Sequence, residues 1–163
     1  MPTVTTSEAV LAAHADHPAI QTLQQNLSGA LQGAIFDRGE LTLAIAREHI
    51  VAACRAVQQA GFNFLVDVTC VDVYPAQPRF QVTYHLLSHG LKQRLRLCVY
   101  VTEGDATVES ITGVWPSANF YEREVFDLFG VSFNGHPDLR RIMLPEDFSG
   151  HPLRKDFPVE GYR

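Results

Sequence analysis

The chain has 163 residues, the length of one ordinary domain, of which 46% are hydrophobic and 19% are charged. This composition indicates a globular protein and excludes an intrinsically disordered one. The formal net charge of −5 excludes the basic balance that is typical of nucleic-acid-binding proteins. Cys54, Cys70 and Cys98 include no closely spaced pair, which excludes a disulfide scaffold, a cysteine-rich zinc site and a protein-borne iron–sulfur cluster.

The N-terminal part of the sequence resembles neither a signal peptide nor a membrane span. Residues 1–16 contain no Lys or Arg and no apolar core of the required length. Residues 17–36 lack charged side chains, but several Gln, an Asn and a Pro make them too polar to cross a membrane. We therefore expect an intracellular protein whose thiols are reduced.

The first predicted elements are short. Residues 1–15 are small and polar, and we expect them to fray. A helix is predicted from Pro18, with Gly29 as its stop and an apolar face formed by Ile20, Leu23 and Leu27.

A hairpin and a second helix follow. Residues 34–37 and 40–46 are predicted to be two strands that turn at Arg38-Gly39. Residues 47–60 are predicted to form a helix that ends at Gly61 and buries Ile50, Cys54 and Val57.

Three central segments alternate apolar and polar side chains, as strands with one buried face do. They are residues 63–71, 79–87 and 93–101, and in the first of them the predicted buried residues are Phe64, Val66, Val68 and Cys70. Their short connections favour antiparallel pairing. The sequence therefore predicts an α+β fold in which helices pack on one face of a mainly antiparallel sheet.

The sequence changes character after Trp115-Pro116. A helix is predicted over about residues 118–129, with Ser117 or Asn119 as its N-cap and Gly130 as its end. The C-terminal tail (residues 134–163) is rich in Pro and Gly, which forbids long regular elements. We divide the protein into an α+β body, residues 1–133, and this extended docking tail, which is not an independent domain. We expect the tail to lie along another protein, and the isolated protein to be poorly soluble or to be mobile beyond Gly130.

Charged residues are concentrated at the C-terminal end, where residues 122–163 hold 14 of the 31 in the sequence. In the predicted helix, Glu122, Arg123, Glu124 and Asp127 lie opposite an apolar stripe, which is typical of a solvated helix face. Arg123 and Asp127 have the i, i+4 spacing that permits an ion pair.

Two similar segments lie fifteen residues apart in the tail, one beginning at Gly135-His136-Pro137 and one at Gly150-His151-Pro152. Each fixes a turn and then presents a Leu and neighbouring cations, Arg140 and Arg141 in the first and Arg154 and Lys155 in the second. An Arg beside an apolar anchor suits docking onto an acidic or mixed partner surface. A pair of solvated basic turns is an equally good interpretation of the pattern alone.

Two enzymatic interpretations are weaker. His136, His151, Asp138, Glu146 and Asp147 include metal-ligating types, but the prolines and the separation of the histidines do not provide a rigid ligand set. Cys98 lies on the predicted strand face of Arg94 and Arg96, which could lower its pKa, yet no nucleophile elbow or phosphate-binding glycine loop accompanies it.

The run from Tyr121 to Pro158, YEREVFDLFGVSFNGHPDLRRIMLPEDFSGHPLRKDFP, resembles the signature of the C subunit of respiratory complex I, the proton-translocating NADH–quinone oxidoreductase. The resemblance is continuous over about forty residues and highly specific. The resemblance implies that the signature residues serve the interface or the fold and are not catalytic. These residues are Glu122, Arg123, Glu124, Asp127, His136, Arg140, Arg141, His151, Arg154, Lys155 and Asp156.

The resemblance also implies a role and a location. Members of this family are scaffold subunits without a redox centre, so FMN, Fe–S clusters and quinone are expected on other subunits, and no metal or cofactor is expected here. The implied partners are the large subunit that helps form the quinone cavity and the cluster-bearing subunits of the hydrophilic arm. The implied location is peripheral, on the cytoplasmic side of the cell membrane. Membrane-bound hydrogenases and a ferredoxin-fed complex have a similar subunit and remain the alternative.

Overall fold

The computed structural model describes residues 7–161 of the protein. Within them, the strands are β1 Leu31–Asp37, β2 Glu40–Ile45, β3 Phe64–Asp72, β4 Phe80–Ser88, β5 Gln93–Val101, β6 Thr107–Glu109 and β7 Ser132–Asn134. The helices are α1 Ser7–Ala13, α2 Pro18–Asn26, α3 Ile50–Gln59 and α4 Ala118–Phe129, and a 3₁₀ turn, Arg47–His49, precedes α3.

Strands β1 to β5 form one sheet in the order β1-β2-β5-β4-β3. All neighbours pair antiparallel except β2 and β5, which are parallel. The prediction of an α+β fold with a mainly antiparallel sheet is confirmed. The β1–β2 hairpin turns where expected, because Arg38 and Gly39 both adopt the left-handed conformation, with φ of 51° and 82°.

The buried face of β3 differs from the prediction at its N-terminal end. Leu65, Val68 and Cys70 are buried, whereas Phe64 and Val66 are exposed. The pairing register with β4 shifts between Leu65 and Asp67. The inserted residue of this β-bulge switches the alternation, so the strict period of two assigned Phe64 and Val66 to the wrong face.

One face of the sheet carries the core, and the helices pack there. Ile20 and Leu23 of α2, Val57 of α3 and Val125 of α4 belong to the same buried cluster as the inward side chains of the strands. On the opposite face, Tyr100 is exposed. The predicted arrangement of helices on one face is confirmed.

Three short elements were not predicted. Residues 7–13 form α1, which buries Val10 within a segment expected to fray; residues 1–6 lie outside the described part of the protein. Strands β6 and β7 pair in parallel in a second, two-stranded sheet. Three-residue strands contain too few residues for a period to be recognised.

The tail contains no helix or strand from Gly135 to Gly161, the part of it that the structure describes. It is nevertheless in contact with the body, because its backbone and side chains form hydrogen bonds to α4, to β3 and to Arg79, the residue before β4. These contacts favour a tail that the body holds in place, and its mobility in the isolated protein stays a prediction that amide exchange tests.

Candidate functional site

Helix α4 carries four of the charged residues that the sequence singled out, and three of them are buried. Glu122 and Asp127 have no exposed surface, and Arg123 is 9% exposed. Only Glu124 is exposed. The interpretation of these residues as a solvated helix face is therefore wrong, because the protein covers this helix on its polar side as well as its apolar side.

Asp127 fixes a turn of the tail. Its Oδ2 accepts hydrogen bonds from the backbone N–H groups of Ile142, Met143 and Leu144 at 2.9, 2.7 and 2.9 Å. Its Oδ1 accepts one from Nη1 of Arg141 at 2.6 Å. Burial alone would raise the pKa of this carboxyl, but Arg141 and the three N–H groups outweigh it and hold the pKa below its usual value.

Two arginines bind backbone carbonyls around this turn. Arg123 donates to the carbonyl oxygens of Arg140 and Arg141 at 3.2 and 3.0 Å, in place of the predicted ion pair with Asp127. Arg141 donates from Nη2 to the carbonyls of Phe148 and Gly150 at 2.9 and 3.1 Å. These bonds satisfy carbonyls that have no strand or helix to pair with.

The two similar segments of the tail bind the same helix in the same way. His136 donates from Nε2 to the carbonyl of Asn119 at 3.0 Å, and His151 donates from Nδ1 to the carbonyl of Asp127 at 2.9 Å. Arg154, in the second segment, donates from Nε to the carbonyl of Phe129 at 2.6 Å. The repetition therefore reflects two turns that bind α4 one after the other.

The end of the tail binds a buried arginine of the body. Arg79 has no exposed surface, and it forms two hydrogen bonds to Asp72 at 3.1 and 2.9 Å and two to Asp156 at 3.0 and 2.5 Å. Nη1 of Arg79 also donates to Glu103 at 2.7 Å. Asp156 and Asp72 raise the pKa of the Arg79 guanidinium, so it stays charged.

Asp72 joins the tail to the sheet through the same cluster. Its Oδ2 also accepts the backbone N–H of Lys155 at 2.8 Å. Burial works to raise the pKa of Asp72, but the hydrogen bonds from Arg79, Lys155 and Tyr74 lower it to about 2.

Glu122 lies on the body side of α4 and behaves in the opposite way. It accepts a hydrogen bond from the Ser110 hydroxyl at 2.6 Å and one from the Ile111 N–H at 2.8 Å. Burial raises its pKa to about 7, and these two bonds only partly oppose the shift. This side chain fixes the loop before α4.

The residues considered for enzymatic chemistry do not assemble into a site. In the described part of the protein, no group of three or more His, Cys, Asp or Glu side chains could hold a metal ion. His136 and His151 instead bind carbonyls of α4. Burial raises the pKa of Cys98, against hydrogen bonds from Thr83 and Gln81 and the charge of Arg96. The pKa of Cys98 is therefore not lowered overall, and the interpretation of Cys98 as a nucleophile stays the weaker one.

The structure brings most of the signature residues together around α4 and Arg79. Glu124 and Lys155 are exposed, and Arg140 pairs with Asp138 at 2.8 Å at the surface. The predicted contact of the signature residues with a partner stays a prediction. Sequence reasoning missed Arg79, Asp72 and Glu103. The available signal was the opposite charge of Asp72 and Arg79 at the two ends of the β3–β4 connection.

A sequence model of the family described as the respiratory-chain NADH dehydrogenase 30 kDa subunit matches residues 43–163, well over half of the sequence. The chain belongs to this family. It is 44% identical to the C subunit of the NADH-quinone oxidoreductase of Geotalea uraniireducens over 88% of each sequence. It is 45% identical to the equivalent subunit of Geobacter sulfurreducens, over 88% of this sequence and 90% of that one.

Two solved structures resemble this protein. A trypsin-resistant fragment of Nqo5 is 36% identical, with a TM-score of 0.65 over 75% of this protein and 99% of that fragment. A component of an archaeal membrane-bound sulfane sulfur reductase, a respiratory membrane complex, shares the fold at 23% identity. Its TM-score is 0.74 over 90% of this protein and 86% of that component. Across residues 7–161, no helix has the length and apolar character needed to cross a bilayer.

Proposed function

We propose that this protein is a scaffold subunit of the hydrophilic arm of a proton-translocating NADH–quinone oxidoreductase. The family carries this proposal, since curated relatives from several bacteria are named as the C subunit of NADH-quinone oxidoreductase. These names favour the NADH–quinone branch over a hydrogenase or a ferredoxin-fed complex.

The proposed role is geometric and involves no redox chemistry. The three cysteines lie on three separate elements, α3, β3 and β5, and all are buried. Burial raises the pKa of Cys54 and Cys98, and it raises that of Cys70 to about 12, so all three stay protonated and are poor ligands. FMN, the Fe–S clusters and quinone would then be bound by other subunits, where NADH oxidation and quinone reduction take place.

The observation that supports a scaffold role most strongly is the set of hydrogen bonds that attach the tail to α4 and to Arg79. Buried Asp127 and Arg79 hold irregular backbone in a defined position through side-chain hydrogen bonds. Such a segment offers a fixed surface to a neighbouring subunit. We expect the neighbours to be the large quinone-cavity subunit and the cluster-bearing subunits, and the protein to be peripheral to the membrane through them.

Affinity purification of the tagged protein from native membranes tests the proposal. The expected result is co-purification of NADH-oxidising and quinone-cavity subunits together with NADH–quinone reductase activity. Co-purification of a hydrogenase-type large subunit without any NADH-oxidising subunit would support the alternative branch. A protein that purifies alone would contradict both.

A second experiment tests the absence of redox chemistry. A variant with Cys54, Cys70 and Cys98 all replaced by Ala should restore NADH–quinone reductase activity, per assembled complex, to a strain that lacks the subunit. Ala suits these positions because all three side chains are small and buried. Normal assembly with lost turnover would contradict the proposal.

A further inference from the structure

The turn that Asp127 fixes presents apolar side chains to solvent. Met143 is 64% exposed, and Ile142 is 38% exposed. Their backbone N–H groups, however, point to a carboxylate with no exposed surface. The buried carboxylate of Asp127 therefore binds backbone whose apolar side chains lie at the surface and not in the core. Its effect is to hold the side chains of Ile142 and Met143 in a fixed, exposed position.

The loop that carries this turn is closed at both ends. Arg141 binds Asp127 at the start of the loop and the carbonyls of Phe148 and Gly150 at its end. Its guanidinium also lies 5.9 Å from the centre of the Phe148 ring. Fixing a loop before it binds lowers the loss of conformational entropy that binding would otherwise cause.

The charges around the exposed pair are mainly acidic. Glu146 and Asp147 are exposed on the loop, while Asp138 on its approach pairs with the exposed guanidinium of Arg140 at 2.8 Å, so that pair adds no net charge. Arg141, the other cation of this segment, pairs with buried Asp127. A complementary surface would have an apolar pocket bordered by Lys or Arg side chains.

We propose that Ile142 and Met143 form an apolar anchor that inserts into such a pocket, apolar and with a basic border, on a neighbouring protein subunit. This inference rests on the proposed function, because it names the surface through which the scaffold binds its neighbour. A second copy of this protein is a poorer occupant, since two acidic loops on molecules of net charge −5 would repel each other.

Methionine oxidation tests whether the anchor is covered. The protein has two methionines, Met1 and Met143, which fall in different proteolytic peptides. Dilute hydrogen peroxide, followed by mass spectrometry, should oxidise Met143 rapidly in the isolated protein and at least about tenfold more slowly in the purified complex. Equal rates in the two samples would overturn the proposal.

Substitution tests whether the anchor contributes to binding. Met143→Glu should reduce the recovery of partner subunits about tenfold, because a charge would enter an apolar pocket. Met143→Leu, which keeps the apolar character, should restore recovery. Val159→Glu is the matched control, since Val159 is a fully exposed apolar residue of the same tail. An unchanged thermal unfolding curve for Met143→Glu shows that the loss is not a folding defect.

Charge reversal tests the basic border. Glu146→Lys combined with Asp147→Lys should lower partner recovery and weaken its dependence on salt. Asp37→Lys, an exposed acidic position in the β1–β2 hairpin, should leave recovery unchanged.

The outcomes separate this inference from the proposed function. If the wild-type protein brings down no NADH–quinone oxidoreductase subunit, the proposed function fails. If the wild type does so and Met143→Glu does so equally, only the anchor fails. If the isolated protein forms a dimer that Met143→Glu dissolves, the occupant is a second copy, and the proposal of a partner subunit is overturned.

Discussion

The sheet of the body and the tail are held together by different forces. The sheet buries rows of aliphatic side chains such as Leu43, Val82 and Leu97, and its ladder pairs backbone with backbone. From Gly135 to Gly161 the tail has no strand ladder, and side chains of the body bind its backbone one group at a time. The first arrangement tolerates the exchange of one aliphatic residue for another. The second depends on the identity of a few buried charged residues.

Helix α4 lies between the rest of the body and the tail, and it binds each of them through a buried carboxyl group. Glu122 and Asp127 are both fully buried and both accept backbone N–H groups. Asp127 also binds Arg141, and its pKa falls, whereas Glu122 has no cationic partner among its hydrogen bonds, and its pKa rises to about 7. One helix therefore fixes the body loop with a carboxyl that is easily protonated and the tail with a stable carboxylate.

The largest effect is expected from Arg79→Met. It removes the guanidinium that binds Asp72, Asp156 and Glu103 and leaves Asp72 buried without its cation. Breaking a buried ion pair in this way costs about 3–5 kcal/mol of unfolding free energy. Urea denaturation measures the loss.

A surface arginine provides the control for this prediction. Arg94→Met removes a cation that is exposed and 4.0 Å from Glu40, so it should cost at most about 1 kcal/mol. Equal losses for the two variants would mean that the Arg79 cluster does not hold the tail.

The next effect concerns Glu122 and depends on pH. The native state holds its proton up to about pH 7, whereas the unfolded protein releases it near 4.5, so this group makes stability fall as pH rises through that window. The side chain of Glu122→Gln stays neutral, so this variant should lack the decrease in stability. The decrease in the wild-type free energy of unfolding should reach up to about 3 kcal/mol. Unfolding free energies measured across the window should show it, with Glu124→Gln, on the exposed side of α4, as a control that keeps the wild-type profile.

A smaller and more local effect is expected from Asp127→Asn. An amide can replace only one of the two acceptor oxygens that Arg141 and the N–H groups of residues 142–144 now share. The unpaired donors should cost about 2 kcal/mol. Trypsin should then cleave faster after Arg140 and Arg141, while the body stays folded. Unchanged cleavage would contradict the role of Asp127 as the anchor of the turn.

The smallest effect compares two glycines with the same backbone conformation. Gly130 and Gly135 have φ of 74° and 75°, so Ala at either should cost about 1 kcal/mol of backbone strain. A Cβ at Gly130 would lie 2.6 Å from His151 and Arg154, whereas one at Gly135 would meet nothing within 4 Å. Gly130→Ala should therefore lower the free energy of unfolding by about 1 kcal/mol more than Gly135→Ala does, as measured by thermal or urea unfolding. The excess should vanish when His151 and Arg154 are also replaced by Ala.

The sequence predicted the body better than the tail for a physical reason. Period-two alternation and glycine stops predicted β4, β5, α3 and α4, because local side-chain pattern decides which face of a strand or helix is buried. The prediction from local pattern failed in β3, where one inserted residue shifts the alternation of buried and exposed side chains. It also failed for α1, β6 and β7, which are too short to show a period.

In the tail, the same reasoning identified the important residues but not their contacts. Composition alone could not show that Arg141 pairs with Asp127 or that Asp156 reaches Arg79, since these residues are 14 and 77 positions apart. Polar residues beside prolines are typical of both a solvated loop and a buried network, and only tertiary structure distinguishes the two.

Amide hydrogen exchange on the isolated protein tests most directly whether the body itself holds the tail. The N–H groups of Ile142, Met143 and Leu144 bind Asp127, that of Leu153 binds the Leu128 carbonyl, and that of Lys155 binds Asp72. We expect these five amides to exchange much more slowly than those of an unstructured peptide, and Asp127→Asn to release the first three selectively. Exchange of all five at the unstructured rate in the wild-type protein would contradict the account.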